Sequence, residues 1–221
     1  MSGSLRMEKG RTAMILNPFL EGMKEAGASV ESFYVKRLKI KSCTGCFSCW
    51  REKPGECYIS DDMELLYPKL RKADILVLAT PVYVPLPGEM QNLMNRLVPL
   101  LEPFLQMRTG RTRARFRQGV KISEIVLVST CGWWEKGNFG TVLRIAEEFA
   151  EDASVEFAGA LLRPHAGFLG ENKEKTTDVL EAAKQAGSQL VKKGRISKET
   201  LEIVSQPLIS EEERMRRYNY T

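Results

Sequence analysis

Three runs of almost unbroken apolar residues recur along the chain. They cover residues 73–83, 124–130 and 157–164, and the first two are rich in β-branched side chains. Runs of this kind are typical of strands that are buried on both faces, as in a parallel sheet. A weaker run at residues 29–38 alternates apolar with polar positions and predicts one further strand.

Segments with helical periodicity lie between these runs. The periodicity predicts helices at residues 12–23, 59–73, 88–105, 141–151 and 175–193. Pro18 falls inside the first pattern, so this helix is expected either to bend there or to start late with Asn17 as its N-cap. Asp61 and Glu64 have the spacing of a capping box at the start of the second helix.

Strands that alternate with helices indicate an α/β fold with a doubly wound parallel sheet between two helical layers. A length of 221 residues fits one large domain. We expect this domain to cover residues 1–206, with residues 43–57 as an insertion. A charged tail at residues 207–221 is expected to be frayed or to dock on a partner subunit.

The composition is that of a globular protein, with 43% hydrophobic and 28% charged residues. No apolar run reaches the roughly 18 residues of a membrane helix, and the first residues lack the layout of a signal peptide. These features predict a cytoplasmic protein with no membrane partner.

The modest net charge of +5 is concentrated in residues 108–121, which contain five arginines and one lysine. A basic run of this kind can bind nucleic acid or a phosphorylated cofactor. No nucleic-acid-binding module accompanies it, so a solvated loop is the favoured interpretation and no nucleic-acid partner is expected.

Four of the five cysteines lie within the segment CTGCFSCWREKPGEC, at residues 43–57. In a reducing compartment, closely spaced thiols indicate a metal or redox site more often than disulfides. The spacing C-x2-C-x2-C-x7-C suits a [4Fe–4S] cluster, because three thiolates lie close together and a fourth follows a short loop. Zinc sites more often use two separated C-x2-C pairs, so zinc is the second choice of metal, and free thiols remain as open as a cluster.

The remaining unusual residues follow the predicted strands, at loops 79–88, 130–140 and 163–170. Ligands of open parallel sheets bind at the carboxyl ends of the strands, so these loops predict one site at one edge. His165, the only histidine, lies in the last loop, where a structural role is favoured over proton transfer. At the other end of the chain, residues 2–12 combine small residues, hydroxyls and arginines before a helix, which is a weak signal for a phosphate-binding loop.

Taken together, these stretches resemble the flavodoxin-like NAD(P)H-dependent FMN reductases, and among them the iron–sulfur flavoproteins. The resemblance rests on GSLRMEKGRT, on the cysteine segment with its following DDM, on ATPVYVPLPGEMQNLMNRL and on STCGWWEKGNF. It implies that residues 1–206 form a flavodoxin-like FMN-binding domain. Leu5 and Arg11 depart from the family's phosphate loop, where proline and asparagine are usual.

The resemblance also implies a role for individual residues. The FMN phosphate would be held by Ser4, Arg6, Arg11 and Thr12. The flavin ring would lie between Pro81, Val82, Tyr83 and Val84 on one side and Cys131, Gly132 and Trp133 on the other. Cys43, Cys46, Cys49 and Cys57 would be the cluster ligands, although similar runs occur in relatives without a cluster. No side chain is expected to act as a catalytic nucleophile.

One feature of the family has no counterpart in the sequence. The family begins with an apolar strand before the phosphate loop, where this chain has only residues 1–3. We expect this central strand to be missing, its two neighbours to be left unpaired, and the natural coding sequence to start further upstream.

The predicted function is that of a homo-oligomeric, dimeric or tetrameric, FMN-dependent oxidoreductase. It would take a hydride from NADH or NADPH as co-substrate and pass electrons to a quinone or another small acceptor, with a [4Fe–4S] cluster as a further carrier if the cysteines hold one. The alternative is an iron–sulfur flavoprotein that exchanges electrons with ferredoxin-like partners. A third, more distant alternative is a zinc-stapled binding module.

Overall fold

The computed structural model describes residues 1–219. In chain order, the helices and strands are α1 (Arg11–Glu25), α2 (Ser48–Arg51), α3 (Met63–Lys72), β1 (Ile75–Pro81), α4 (Gly88–Asn95), β2 (Leu101–Arg108), β3 (Arg111–Phe116), β4 (Glu124–Thr130), α5 (Gly140–Ala153), β5 (Glu156–Arg163), α6 (Lys173–Lys193), α7 (Lys198–Ser205) and α8 (Glu211–Asn219).

A parallel sheet in the order β1-β4-β5 forms the centre of the molecule. Pro81 lies opposite Thr130, and Thr130 opposite Arg163, so the three strands end at the same edge. Alternate side chains enter two separate cores. Helices α1, α6 and α7 pack on one face of the sheet, and α3, α4 and α5 on the other. The three-layer α/β/α arrangement expected from the sequence is confirmed.

Residues 1–3 lie in the position of the missing central strand. Ser2 forms parallel bridges with both Tyr34 and Ala79. On one side, the Gly3 amide donates to the Ala79 carbonyl at 2.8 Å, and on the other the Ser2 amide donates to Phe33 at 2.8 Å. The expectation of unpaired neighbours is therefore wrong at these positions. The resulting order, from the Tyr34 segment through residues 1–3 to β1, β4 and β5, is the flavodoxin-like order 2-1-3-4-5.

The weaker strand expected at residues 29–38 is reduced to this single bridge at Tyr34, after which the chain turns into a 3₁₀ helix at Val35–Arg37. Backbone pairing requires a neighbouring strand of matching length, and residues 1–3 provide only a short one. A half-exposed alternating pattern is therefore not sufficient for a full strand here.

The region expected to be helical at residues 88–105 is helical only in α4, and its last residues begin β2, which pairs with β3 in an antiparallel hairpin. Pro99 and Pro103 prevent a continuous helix. The hairpin also replaces the solvated loop expected for the basic segment. Arg113 is buried, and its guanidinium binds the carboxylates of Glu148, Glu151 and Asp152 on α5. The charge of Arg113 is therefore paired with carboxylates of the same domain.

Helix α1 begins at Arg11 and passes through Pro18 without the late start that the proline suggested. Its packing against α6 explains this, because the two helices meet at glycines. A Cβ on Gly22 would lie 1.8 Å from the Lys184 carbonyl oxygen, and a Cβ on Gly187 would lie 1.9 Å from that of Phe19. The close approach buries enough of α1 to outweigh the loss of one backbone hydrogen bond.

The charged tail forms helix α8, which packs on the same chain. Arg214 lies 4.9 Å from the Trp134 ring centroid, and Tyr218 makes an edge contact with Phe168. Residues 220 and 221 of the predicted tail lie outside the described residues. No helix among residues 1–219 is long and apolar enough to cross a membrane.

Candidate functional site

The loop between residues 4 and 10 leads into α1 at the carboxyl edge of the sheet. It forms one 3₁₀ turn, in which the Met7 amide donates to the Ser4 carbonyl and the Gly10 amide to the Met7 carbonyl. Gly10 is the N-cap of α1, so no side chain caps the first amides of this helix. A Cβ on Gly10 would lie 2.3 Å from the Ser4 hydroxyl oxygen. The result is a tight loop beside a helix N-terminus, where an anion is stabilised by free amides and the helix dipole.

The four residues predicted to hold phosphate have different surroundings. Ser4 and Thr12 are buried at the loop and the helix start, whereas the side chain of Arg6 is exposed. Arg11 extends away from the helix and donates to the carbonyls of Leu169 at 2.8 Å and Gly167 at 3.1 Å. Arg11 therefore links the phosphate loop to the loop after β5.

Thr130, at the end of β4, joins three of the predicted site segments. Its hydroxyl lies 2.8 Å from the Thr12 hydroxyl, and its carbonyl accepts the Val82 amide at 2.9 Å. It directly precedes the loop that contains Cys131. Sequence reasoning did not select Thr130, although its position at a strand end was a signal that could have found it.

The loop after β1 separates its four candidate residues by exposure. Pro81 and Val82 are partly buried, Tyr83 is half-exposed, and Val84 is fully exposed. The Tyr83 amide donates to the Pro85 carbonyl at 2.8 Å, which fixes the turn at the tip. Apolar groups at the tip therefore face solvent rather than the core, as expected where a planar ligand binds.

The loop after β4 combines a buried thiol with an exposed aromatic ring. The Cys131 thiol is buried, which raises its pKa, and its sulfur accepts the Trp133 amide at 3.3 Å. Gly132 is exposed, and Trp133 is 65% exposed. The burial of Cys131 favours a packing role over the ring contact that the resemblance implies, while Trp133 and Gly132 remain accessible to a ligand.

His165 lies behind this loop and is buried. Its amide donates to the Trp133 carbonyl at 2.9 Å, and its ring lies 3.6 Å from that of Trp134. Burial, together with the charges of Arg163 and Arg214, lowers the pKa of His165 to about 4. The neutral ring packs against aromatic neighbours, which agrees with the structural role expected for it.

The four clustered cysteines line one cavity of about 50 Å³, together with Tyr58, Arg96 and Pro99 among others. Cys49 is buried in the short helix α2, Cys57 is partly buried, and Cys43 and Cys46 are exposed. Backbone amides point at two of the sulfurs, with Gly45 donating to Cys43 at 3.4 Å and Ser48 to Cys46 at 3.5 Å. The pKa of Cys49 is raised by burial and, to a smaller extent, by the other three cysteines.

These thiols fit a cluster in chemistry and in their shared cavity. Soft sulfur donors with backbone N–H groups directed at them are the donor set of iron–sulfur centres. Within residues 1–219, however, no three His, Cys, Asp or Glu side chains are gathered closely enough to hold a metal ion.

A buried ion pair lies beside the cysteine segment, between Arg96 and Asp61. Arg96 donates to both carboxylate oxygens of Asp61, at 2.6 and 3.1 Å, and the two side chains are 1% and 2% exposed. Burial disfavours the charged form of Asp61, but the bonds from Arg96 and from the Lys41 and Met63 amides outweigh this and lower its pKa. Asp61 therefore does more than the predicted cap, and Asp62 occupies the N-cap position of α3.

The family model for NADPH-dependent FMN reductases matches residues 1–117, which is more than half of the 221 residues. The chain belongs to the NADPH-dependent FMN reductase family. The matched segment contains the phosphate loop, the cysteine segment and the loop after β1, which are three of the stretches on which the resemblance rested.

Curated relatives agree with this membership. The chain is 38% identical over 112 residues to an iron–sulfur flavoprotein of Methanocaldococcus jannaschii, with 50% of this chain and 55% of the relative covered. It is 33% identical over 102 residues to an iron–sulfur flavoprotein of Methanosarcina thermophila, with 45% and 51% covered. The chain thus spans about half the length of the curated relatives that it matches.

Among solved structures, the chain resembles an NAD(P)H:quinone oxidoreductase from Methanothermobacter marburgensis, with a TM-score of 0.56, 17% identity, and 85% of this chain and 92% of the other covered. An FMN-dependent NADH-azoreductase from Bacillus anthracis gives a TM-score of 0.54 at 11% identity, with 82% and 92% covered. At these identities, the likeness shows the fold, and it confirms the flavodoxin-like architecture.

Proposed function

We propose that this protein is an FMN-dependent oxidoreductase that oxidises NADH or NADPH and reduces a quinone or another small acceptor. The observation that carries the proposal is the convergence on Thr130 of a helix N-terminal loop, an exposed apolar tip and an exposed tryptophan. These are a phosphate-binding element and two ring-binding elements, in a chain of the FMN reductase family.

The phosphate end of FMN is assigned to the loop at residues 4–12. The first amides of α1 and the Ser4 and Thr12 hydroxyls would donate to the phosphate oxygens, while Arg6 is free to approach from the solvent side. Arg11 would contribute its charge and hold the loop after β5 in place through its bonds to the Gly167 and Leu169 carbonyls.

The ring end is assigned to the two exposed loops. Pro81, Val82, Tyr83 and Val84 would contact one face and Gly132 and Trp133 the other, with Cys131 as buried support. When bound, FMN supplies two-electron acceptance from the nicotinamide and one- or two-electron delivery onward. The chain's own part is to orient the ring, to exclude water with apolar side chains, and to leave one side open for the nicotinamide.

We further propose that Cys43, Cys46, Cys49 and Cys57 ligate a [4Fe–4S] cluster. Their common cavity, the amides directed at Cys43 and Cys46, and the likeness to proteins named iron–sulfur flavoproteins support this assignment. Zinc fits the same thiols less well, because its four-coordinate sites more often use two separated cysteine pairs.

A homo-oligomer is proposed as the active form. Phe104, Leu105 and Met107 lie on β2 with between 48% and 73% of their surface exposed, which is a concentration of apolar surface that a second copy of the chain would cover. The tail was the other candidate for a contact with a partner subunit. Its described residues, 207–219, pack on their own domain through α8.

The second candidate function is an electron carrier that exchanges electrons with a ferredoxin-like protein. The names of the curated relatives favour it, and the exposed Cys43 and Cys46 would place a cluster at the protein surface. The two candidates differ in whether the flavin is reduced directly by a nicotinamide.

The test is an absorption spectrum of the anaerobically purified protein, with iron and zinc measured on the same sample. We expect flavin bands, a broad shoulder at about 400 nm, and about four irons per chain. Rapid bleaching of the flavin bands by NADH or NADPH supports the enzyme, whereas bleaching only by a protein donor supports the carrier. A folded protein that binds no flavin rejects both candidates.

The cluster assignment has its own control. The Cys49→Ser variant should lose the iron and retain the flavin, while the Cys131→Ser variant should keep both, because Cys131 lies in a different loop. Equal iron contents in the two variants would contradict the assignment.

A further inference from the structure

Three arginine side chains from outside the cysteine segment donate to its backbone or to residues directly beside it. Arg96, which follows α4, binds the carbonyls of Lys41 at 2.9 Å and Ile59 at 3.2 Å, one on each side of the segment. This pair of bonds, with the Asp61 ion pair, holds together the two chain ends between which the segment projects.

Arg117 and Arg71 bind inside the segment itself. Arg117, which follows β3, donates to the Cys49 carbonyl at 3.1 Å and through Nε to the Pro99 carbonyl at 3.0 Å. Arg71 on α3 donates to the Gly55 carbonyl at 2.7 Å. A backbone hydrogen bond joins the segments that carry the two arginines. The amide of Lys121, four residues after Arg117, donates to the Arg71 carbonyl at 2.9 Å.

The two guanidinium groups meet around one turn of the segment. The Gly55 amide donates to the Cys49 carbonyl at 2.9 Å, so this oxygen accepts from both Gly55 and Arg117. Gly55 is buried with φ at +87°, and a Cβ there would lie 3.2 Å from Arg71 Nη2 and 3.4 Å from Arg117 Cδ. The turn between the third and the fourth cysteine is therefore fixed by side chains that the cysteine motif does not contain.

We propose that Arg71 and Arg117 are positioning residues for Cys49 and Cys57, the third and fourth thiols of the segment. They hold the Cys49 carbonyl and the Gly55 turn, so that Cys49 stays buried and Cys57 returns to the same cavity. The inference rests on the proposed cluster for its function, since residues that orient ligand-bearing loops set metal retention. The two arginines would keep Cys49 buried whether or not a metal is bound.

Glutamine variants test this role, because glutamine keeps much of the side-chain volume but loses the charge and the fork of donors. The variants are Arg117→Gln and Arg71→Gln. The matched control is Arg115→Gln, two residues from Arg117, whose guanidinium pairs with Glu102 and lies over the Phe104 ring. Two quantities are measured on the full chain: the iron lost with time to a ferrous chelator, and the rate at which iodoacetamide alkylates Cys49 after iron removal under reducing conditions, read by mass spectrometry.

We expect Cys49 alkylation to be about tenfold faster in Arg117→Gln and Arg71→Gln than in the wild type, and iron loss to accelerate by a similar factor. Arg115→Gln should match the wild type in both. Flavin content and the thermal midpoint show whether a variant remains folded. Arg117→Lys, which keeps the charge but loses the fork that reaches two carbonyls, should lie between the wild type and Arg117→Gln.

The alkylation rate decides the positioning role, and the iron content decides the cluster. Wild-type alkylation rates in both variants overturn the proposal, whatever the iron content. Faster alkylation in a chain whose wild type holds no iron supports the positioning role and rejects the cluster in the proposed function. The two failures are thus distinguishable.

Discussion

At the scale of single residues, Thr130 connects the elements that are proposed to bind FMN. Its side chain contacts the helix that follows the proposed phosphate loop, and its carbonyl holds the loop that would contact the ring. A threonine at the end of a strand is common, so only the contact with Thr12, 118 residues away in sequence, reveals its position.

The Thr12→Val substitution should weaken both stability and FMN binding. It leaves the buried Thr130 hydroxyl without its 2.8 Å partner, which should lower the free energy of unfolding by about 1–3 kcal/mol. Loss of a hydroxyl near the phosphate should raise the FMN dissociation constant about tenfold or more. Urea unfolding and flavin titration measure the two effects.

The double variant Thr12→Val/Thr130→Val separates the two roles of Thr12. Replacing both hydroxyls removes the unpaired group, so stability should partly recover while FMN binding stays weak. An FMN affinity equal to that of the wild type in the single variant would mean that Thr12 is only structural.

His165 predicts a pH dependence of stability. Its folded pKa of about 4 lies below the ordinary value of 6.5, so the unfolded chain takes up a proton first as the pH falls. The stability contributed by the neutral ring is therefore present above pH 6.5 and is lost as the pH falls towards 4. We expect a loss of about 2 kcal/mol between pH 7 and pH 5 from this residue.

The His165→Asn variant isolates that contribution. Asparagine does not titrate in this range and tolerates the left-handed backbone at this position, where φ is +55°. The variant is less stable at pH 7, since it leaves a cavity, but its unfolding free energy should fall less steeply with acid. Parallel curves for the two proteins between pH 7 and pH 5 would contradict the prediction.

At the scale of elements, the contact between α1 and α6 fixes the position of α1. Gly22 and Gly187 allow the two backbones to meet, and α1 in turn carries Arg11 and Thr12 into the site. The helical period of both segments was readable in the sequence. Their separation was not, because it depends on which glycine faces which helix.

Gly22→Ala and Gly187→Ala should each destabilise the fold, although alanine has the higher helix propensity. Each new methyl group would lie within 2 Å of a backbone oxygen, at 1.8 and 1.9 Å respectively, so the helices must separate. We expect a loss of about 3 kcal/mol or more in urea unfolding. Gly140→Ala, at the start of α5 with no atom near its Cβ, is the control and should lose no stability. Equal stabilities in all three variants would show that the helices are not in close contact.

At the scale of the whole molecule, the exposed apolar surface of β2 is the proposed contact between copies of the chain. The hairpin stands outside the parallel sheet and is tied to α5 through Arg113 and its carboxylates. Its outer residues Leu105 and Met107 are 60% and 73% exposed.

The Leu105→Glu/Met107→Glu variant should dissociate the proposed homo-oligomer, because it would bury two charges in the interface between copies. Sedimentation velocity should give a smaller species than the wild type, with an unchanged thermal midpoint in dilute solution. Leu65→Glu on α3, a similarly exposed leucine at 64%, should leave the assembly intact. A wild type that sediments as a monomer would reject the homo-oligomer.

The sequence by itself determined the layers and the edge at which the site lies. The apolar runs that became β1, β4 and β5 carry their own pattern, because burial on both faces requires apolar residues at consecutive positions. The loops that follow them therefore fell at one edge, and the roles expected for the phosphate-loop, Tyr83, Trp133 and cysteine stretches came from their resemblance to a known family.

Only the tertiary structure decided what depends on contacts between distant residues. The pairing of residues 1–3 with both neighbours, the hairpin in place of a helix, and the Thr12–Thr130 contact each join segments that local patterns treat separately. The arginines around the cysteine segment are the same case. A guanidinium that reaches a backbone carbonyl leaves no pattern in the sequence, because every residue offers the same carbonyl.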